Sequence, residues 1–247
     1  MGEARRWTRF SARRQGIRGF PVAAVWAMGL PMTQSTFTIL LGGSLRLTER
    51  LTAALAGSRF IAADSGMRHA GSIGVVPELW VGDFDSTSAE LDQAFPDVPR
   101  LPYPAAKAVT DGEIAVTEAI ARGAQRLILA GALGGERLDH ALQHMTHAIS
   151  LAERGYSVLL TSGDEEAVPL LAGAIDIPLP RGSLFSVVGL TELDGLTLSN
   201  VRYPLDNFHL PFGSSRTVSN VAEGTVHFRL ASGKAVVLAR PYDLTGI

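Results

Sequence analysis

Between residues 36 and 161 the chain alternates short apolar runs with helical stretches, and that alternation leaves few folds open. "TFTILLGG", "RFIAAD", "ELWVGD", "QRLILAG" and "YSVLLT" read as strands, with "RLPYP" as a further short one. Between them "LTERLTAALAG", "GMRHAGSIG", "TDGEIAVTEAIARG" and "RLDHALQHMTHAISLAERG" read as helices. Thr110 followed three residues later by Glu113 forms a capping box, and Gly123 ends that helix. Strands this short and uniformly apolar are buried on both faces. The pattern therefore predicts a parallel sheet covered by helices on its two sides.

After about Asp176 the pattern changes. "GSLFSVVGL", "GLTLSNVRYPL", "GTVHFRLASG" and "KAVVLARP" are short β-rich runs separated by Gly, Asp, Asn and Pro, as in a small antiparallel sandwich or barrel. The expected architecture is α/β: a parallel-sheet, Rossmann-like catalytic domain over residues 35–175, then a small all-β sandwich domain over 176–247.

Residues 1–31 stand apart. They hold six arginines and one acid, Glu3, out of 22 basic and 24 acidic residues in the chain. The remainder thus carries 16 basic against 23 acidic residues, a net charge of −7, which disfavours nucleic acid as a partner. The apolar run "FPVAAVWAMGLP" is too short to span a bilayer and is flanked by proline, so no membrane association is expected. Residues 1–34 are read as a disordered tail or a mis-called start, with Met32 as the alternative first residue; residues 1–31 show no strand or helix pattern that could join the sheet and are expected to be dispensable. With no cysteine in the chain, disulfides and thiolate metal sites are excluded.

Carboxylates cluster where the strands end. Asp64 ends "RFIAAD", Asp83 and Asp85 end "ELWVGDFD", Asp111 opens the helix after "RLPYPAAKAV", and Asp139 lies in "GALGGERLDH". Open parallel sheets bind ligands beyond the carboxyl ends of their strands, so these five acids converge on one edge. Asp83 and Asp85 repel each other unless a cation or a hydrogen-bond network lies between them, and magnesium is the natural occupant. The bland alternative makes them turn residues, with Ser86 or Ser88 capping a short helix "SAELDQAF". The glycine-rich turns "DSG" and "GALGGER" let backbone amides approach an anion, or are ordinary loops. No phosphate-binding loop of the G-x-x-x-x-G-K-[ST] type is present.

The ordered motifs "ADSG", "GDFDST", "KAVTD", "GALGGERLDH" and the "SN" of "RTVSNVAEG" resemble those of thiamine diphosphokinases (thiamin pyrophosphokinases), over roughly residues 36–240. The resemblance implies diphosphate transfer from magnesium-bound ATP to thiamine, releasing AMP. It also implies an α/β catalytic domain, a β-sandwich domain, and a cytoplasmic homodimer with thiamine between subunits. On it, Asp83, Asp85 and Asp111 hold Mg2+ and serve catalysis, while Asp64, Thr110, Arg137 and Asp139 bind ATP. Ser219 and Asn220 contact the thiamine pyrimidine; without the resemblance they read as a plain β-turn. Four positions depart from the pattern: Ala108 replaces an aspartate, Ser65 a glycine and His144 an asparagine, and Glu136 is inserted before Arg137. Three rival readings remain. One is a diphosphokinase for another hydroxyalkyl heterocycle such as a pterin. Another is a haloacid-dehalogenase-like phosphatase with Asp83 as nucleophile, since "DFDST" satisfies D-x-D-x-T. The last is a non-catalytic ligand sensor, suggested by Ala108.

Overall fold

The computed structural model describes residues 23–24, 35–85, 87–104 and 108–246. A two-residue strand, β1 (Ala23–Ala24), precedes the main body. There follow β2 (Thr36–Leu40), α1 (Glu49–Leu55), β3 (Arg59–Ala63), a 3-10 turn (Asp64–Met67) and α2 (Arg68–Ile73). Next come β4 (Leu79–Gly82), α3 (Ala89–Ala94), β5 (Arg100–Pro102), α4 (Asp111–Ala121), β6 (Arg126–Ala130), α5 (Leu138–Glu153) and β7 (Ser157–Thr161). Seven more strands complete the chain: β8 (Glu166–Leu170), β9 (Gly173–Ile177), β10 (Leu184–Gly189), β11 (Leu193–Val201), β12 (Leu205–Leu210), β13 (Asn220–Leu230) and β14 (Ala235–Arg240).

Strands β7, β6, β2, β3, β4 and β5 lie side by side in that order and are all parallel. Their period-two alternation sends Phe37, Ile39, Leu127 and Leu129 to the face under α4 and α5, where Ala115, Ala119, Ala148 and Leu151 close over them. Ile128 and Leu159 point the other way, to a core shared with Leu51 and Leu55 of α1. Both faces are therefore covered, which is why the strands are apolar without interruption.

The sheet continues past β7. β8 pairs antiparallel with β7, β14 with β8, and β10 with β14. The antiparallel region thus begins at Glu166, about ten residues before the composition changes, and it extends the parallel sheet. A second layer, β12, β11, β13, β9 and β1, faces this extension and meets it along β10, where Leu184 and Phe185 pair with β13. Phe185 and Phe228 meet edge to face in the core between the layers, their ring centres 5.7 Å apart. β1 runs parallel to β9, so the expectation that residues 1–31 contribute no strand fails at Ala23–Ala24. The other residues assigned to the tail lie outside the described residues.

Candidate active site

Chain order and sheet order diverge at β2. From β2 the chain steps outward through β3, β4 and β5, then returns to the other side of β2 as β6. The loops leaving β2 and β6 diverge to opposite faces of the sheet, and a crevice opens between them at the strand ends, where ligands bind in open α/β sheets. A cleft of about 760 Å³ lies there.

Two glycine-rich loops line it at close range. A Cβ on Gly43 would stand 2.3 Å from the Gly131 carbonyl oxygen, so the loop after β2 can lie against the loop after β6 only with glycine there. Gly131, at φ 79°, approaches Leu41 as closely. The "LGGS" loop at Gly42 and Gly43 was not singled out from the sequence, although its paired glycines directly after a strand are a readable signal.

The expected site residues divide into three groups. Asp64, Asp83, Thr110, Asp111 and Arg137 all line the cleft. Asp64 opens the 3-10 turn at φ 46°, a left-handed conformation uncommon outside glycine, and its carbonyl accepts a 3.0 Å hydrogen bond from the Trp80 indole. Thr110 caps α4, its hydroxyl accepting from the Glu113 amide at 3.3 Å, so the positive end of an eleven-residue helix faces the cleft beside Asp111.

The second group stands at the rim. Between Asp83 and Asp85, Phe84 adopts φ 62°. Its ring packs edge-on against Trp80 at 5.2 Å, and the Arg100 guanidinium lies 5.3 Å from its centre. The turn is fixed by these contacts, and the Asp85 amide donates to the Asp83 carboxylate at 3.2 Å. Asp85 itself is exposed outside the cleft lining. Asp139 accepts both nitrogens of Arg137 in a two-pronged pair at 2.7 and 2.9 Å, which holds its carboxyl below the usual range. Ser88 is the cap of α3, and Ser86 lies outside the described residues.

The third group is elsewhere. Ser219 and Asn220 sit at the turn into β13 and do not border the cleft. Asn220 is 4% exposed. Its side-chain oxygen accepts from the amides of Tyr203 and Val221 at 3.1 and 2.8 Å, while its nitrogen donates to the Tyr203 carbonyl at 2.9 Å.

Two further side chains line the cleft. Arg68 donates to the carbonyls of Gly42 and Gly43, which holds its guanidinium at the cleft wall. His144 is 9% exposed, and burial followed by the neighbouring His140 and His147 lowers its pKa to about 4, so it faces the cleft as a neutral imidazole. Among the described residues no three of His, Asp and Glu stand close enough to hold a metal by themselves.

Comparisons with known proteins converge. A family model described as thiamin pyrophosphokinase, catalytic domain, matches residues 54–160, and one described as thiamin pyrophosphokinase, vitamin B1 binding domain, matches residues 174–235. The thiamine pyrophosphokinase of Bacillus subtilis (strain 168) is 28% identical over 190 residues, which cover 75% of this chain and 88% of that protein. The solved thiamin pyrophosphokinase from Geobacillus thermodenitrificans is 27% identical, with a TM-score of 0.72 over 86% of this chain and 100% of that one. The solved Bacillus subtilis enzyme superposes with a TM-score of 0.75 over 84% of this chain and 100% of that one, and at 23% identity it speaks for the fold.

Proposed function

The chain belongs to the thiamin pyrophosphokinase family and forms thiamine diphosphate from ATP and thiamine, and we propose that the cleft at the ends of β2, β3, β4 and β6 is where the diphosphate is transferred. The observation that carries this reading is the lining: Asp64, Asp83 and Asp111 face two glycine-rich loops and the N-terminus of α4 across one cavity. Such a lining is suited to a polyphosphate that arrives with a cation. The pterin, phosphatase and sensor alternatives gain no support from the relatives.

The reaction needs the thiamine hydroxyl to attack the β-phosphorus in line while AMP departs, so the protein's work is positioning and charge neutralisation. Thr110, Arg137 and the loop amides after β2 and β6 orient the phosphates. Asp139 aims Arg137 and moderates its charge. Asp64 lines the same cleft, within reach of the nucleotide or of the cation's water shell. The donor set fits magnesium: Asp83 and Asp111 offer hard oxygens to one cavity and Asp85 stands one residue beyond Phe84. Mg2+ is ordinarily held by one or two carboxylates and completes its shell with water and phosphate oxygens. Its contribution when bound is to neutralise charge on the phosphates.

On this reading residues 35–175 act as a Rossmann-like catalytic domain and residues 176–247 as a sandwich that receives thiamine through Ser219 and Asn220. Tyr203, Phe212 and Val218 form exposed apolar surface on the segment leading to that turn. This supports a homodimer in which one copy's turn meets its partner's cleft. No helix among the described residues is long and apolar enough to cross a membrane. A cytoplasmic location belongs to the proposal through the family resemblance alone. AMP formation from ATP, magnesium and thiamine tests the whole. AMP formed only with a pterin alcohol would overturn the acceptor, and phosphate release from simple monoesters would overturn the reaction.

A further inference from the structure

Two histidines are buried near the strand ends, and they differ in what they bond. His69 is 8% exposed and donates through Nε2 to the Gly43 carbonyl at 2.9 Å, so its polarity is satisfied inside the protein. His144 is 9% exposed, and among the described residues its imidazole makes no hydrogen bond; the ring meets that of His140 edge to face, with centres 6.2 Å apart. Among the described residues no buried side-chain nitrogen is sealed off without a partner. The ring nitrogens of His144 therefore open into the cavity that the side chain lines, the acid-lined cleft. A polar group this deeply buried and left unpaired by the protein costs stability until something else supplies the bond.

The position of the ring says what that partner is. α5 carries His144 against the first turn of α4: a Cβ on Gly112 would stand 3.4 Å from His144 Cε1 and 3.9 Å from the Thr110 hydroxyl oxygen. Cε1 is the carbon between the two ring nitrogens, so the edge that bears them fronts the start of an eleven-residue helix. Backbone amides are unpaired there and the helix dipole is positive, which favours an anion. Thr110, Asp111 and Gly112 line the same cleft as His144.

We infer that His144 is a substrate contact: its imidazole donates a hydrogen bond to an oxygen of the phosphates that ATP carries beyond the α-phosphate, seated at the N-terminus of α4. The inference rests on reading the cleft as the site of transfer. Burial keeps the ring uncharged at neutral pH, so it offers one N–H and one lone pair. A neutral donor fixes the direction of a phosphate oxygen without adding charge of its own. Charge neutralisation is left to the cation and to Arg137, and His144 contributes position.

The probe is α,β-methylene-ATP with magnesium, which keeps every phosphate but cannot be cleaved where the transfer occurs. By titration calorimetry His144→Leu, a change of similar volume, should bind it about tenfold or more weakly than the wild-type protein does, the loss expected for a hydrogen bond to a charged group. AMP, which lacks the outer phosphates, should bind both proteins alike. The KM for ATP should rise in the variant while the KM for thiamine stays within about twofold. The melting temperature should stay level or rise, because an unpaired polar group has given way to an apolar one. An amide at this position restores the donor: His144→Gln places it near Nε2 and His144→Asn near Nδ1, and the variant that recovers affinity identifies the donating nitrogen. In 15N spectra of the wild-type imidazoles, the His144 resonance, assigned by its loss in His144→Asn, should shift with the probe and stay in place with AMP. Equal affinity of His144→Leu for the probe, an unmoved His144 resonance, or a loss that neither amide repairs overturns the inference and leaves the cleft assignment intact. Full turnover in Asp83→Asn would break the reading of the cleft instead.

Discussion

Phe84 and Ser219 adopt nearly the same backbone angle, φ 62° and 61°, in two turns that use it in opposite ways. At the end of β4 the left-handed residue splays Asp83 and Asp85 apart, and the Asp83 carboxylate accepts a 3.2 Å bond from the Asp85 amide. At the turn into β13 it delivers Asn220 into the fold, where oxygen and nitrogen both find backbone partners. A residue of this kind costs roughly 1 kcal/mol or more, so each turn persists because something else holds it. In the first, aromatic packing of Phe84 maintains a turn whose hydrogen-bonding capacity is left for a ligand. In the second, the hydrogen bonds themselves maintain the turn, and what reaches a ligand is the surface they shape. Proximity to a motif does not say which kind of residue one has found.

The largest expected effect is at the first turn. Asp83→Asn keeps size and shape but removes charge where phosphate charge must be neutralised, so kcat/KM should fall about a hundredfold. The melting temperature should stay level or rise, since repulsion from Asp85 is relieved. Raised magnesium should recover part of the rate. A phosphorylated or beryllofluoride-trapped Asp83 in the wild-type protein would contradict this role.

At the second turn the same kind of change should strike the fold. Asn220→Ala strands the amides of Tyr203 and Val221 and should cost about 2–3 kcal/mol, measured by denaturant titration. If stability is unchanged and only the KM for thiamine rises, Asn220 is a direct ligand contact and the contrast between the turns collapses.

The strand ends carried most of what could be read in advance. Asp64, Asp83 and Asp111 reach one cleft because parallel strands all end at the same edge, a rule that needs only the order of elements. Thr110 and Ser88 declared themselves as caps through local spacing. What stayed hidden depends on pairings distant in the chain. β8 reads "EAVPL", an apolar run with a proline, and nothing within it says that its neighbour is β14, some seventy residues on. A cavity bordered by Leu45, Leu133, Asp164 and Tyr242 draws on four separate segments for the same reason. Asp85 and Asp139 were legible as acids at strand ends, but their exposure outside the cleft lining follows from the turn at Phe84 and from the grip of Arg137.

Histidine burial sharpens the comparison along the pH axis. Folding lowers the pKa of His144 to about 4, and burial also lowers those of His69 and His147. The unfolded chain therefore binds more protons as pH falls below about 6.5, and stability should decline from there toward about 4, by up to about 1.4 kcal/mol per pH unit per histidine. Thermal melts from pH 7.5 to 4.5 should show this slope. His144→Asn should flatten it, and an unchanged slope would move the effect to the other two histidines.

The smallest effect tests Ser219. Glycine adopts its backbone angle without strain, so Ser219→Gly should raise stability by about 1 kcal/mol or less. If the hydroxyl contacts thiamine, the KM for thiamine should rise at the same time. A gain in stability with unchanged kinetics would leave Ser219 as a turn residue alone.

β14 lies in the middle of the sheet, between β10 and β8, yet it is the last of the described strands in chain order. During synthesis the edge of β8 must wait unpaired while the intervening strands emerge, and open edges of this kind invite association with other chains. The pairing that closes it is long-range, and pairings of that kind are slow to form. A chain interrupted before β14 would hold every strand that presents the strand-end acids, yet leave β8 and β10 without the neighbour that joins them.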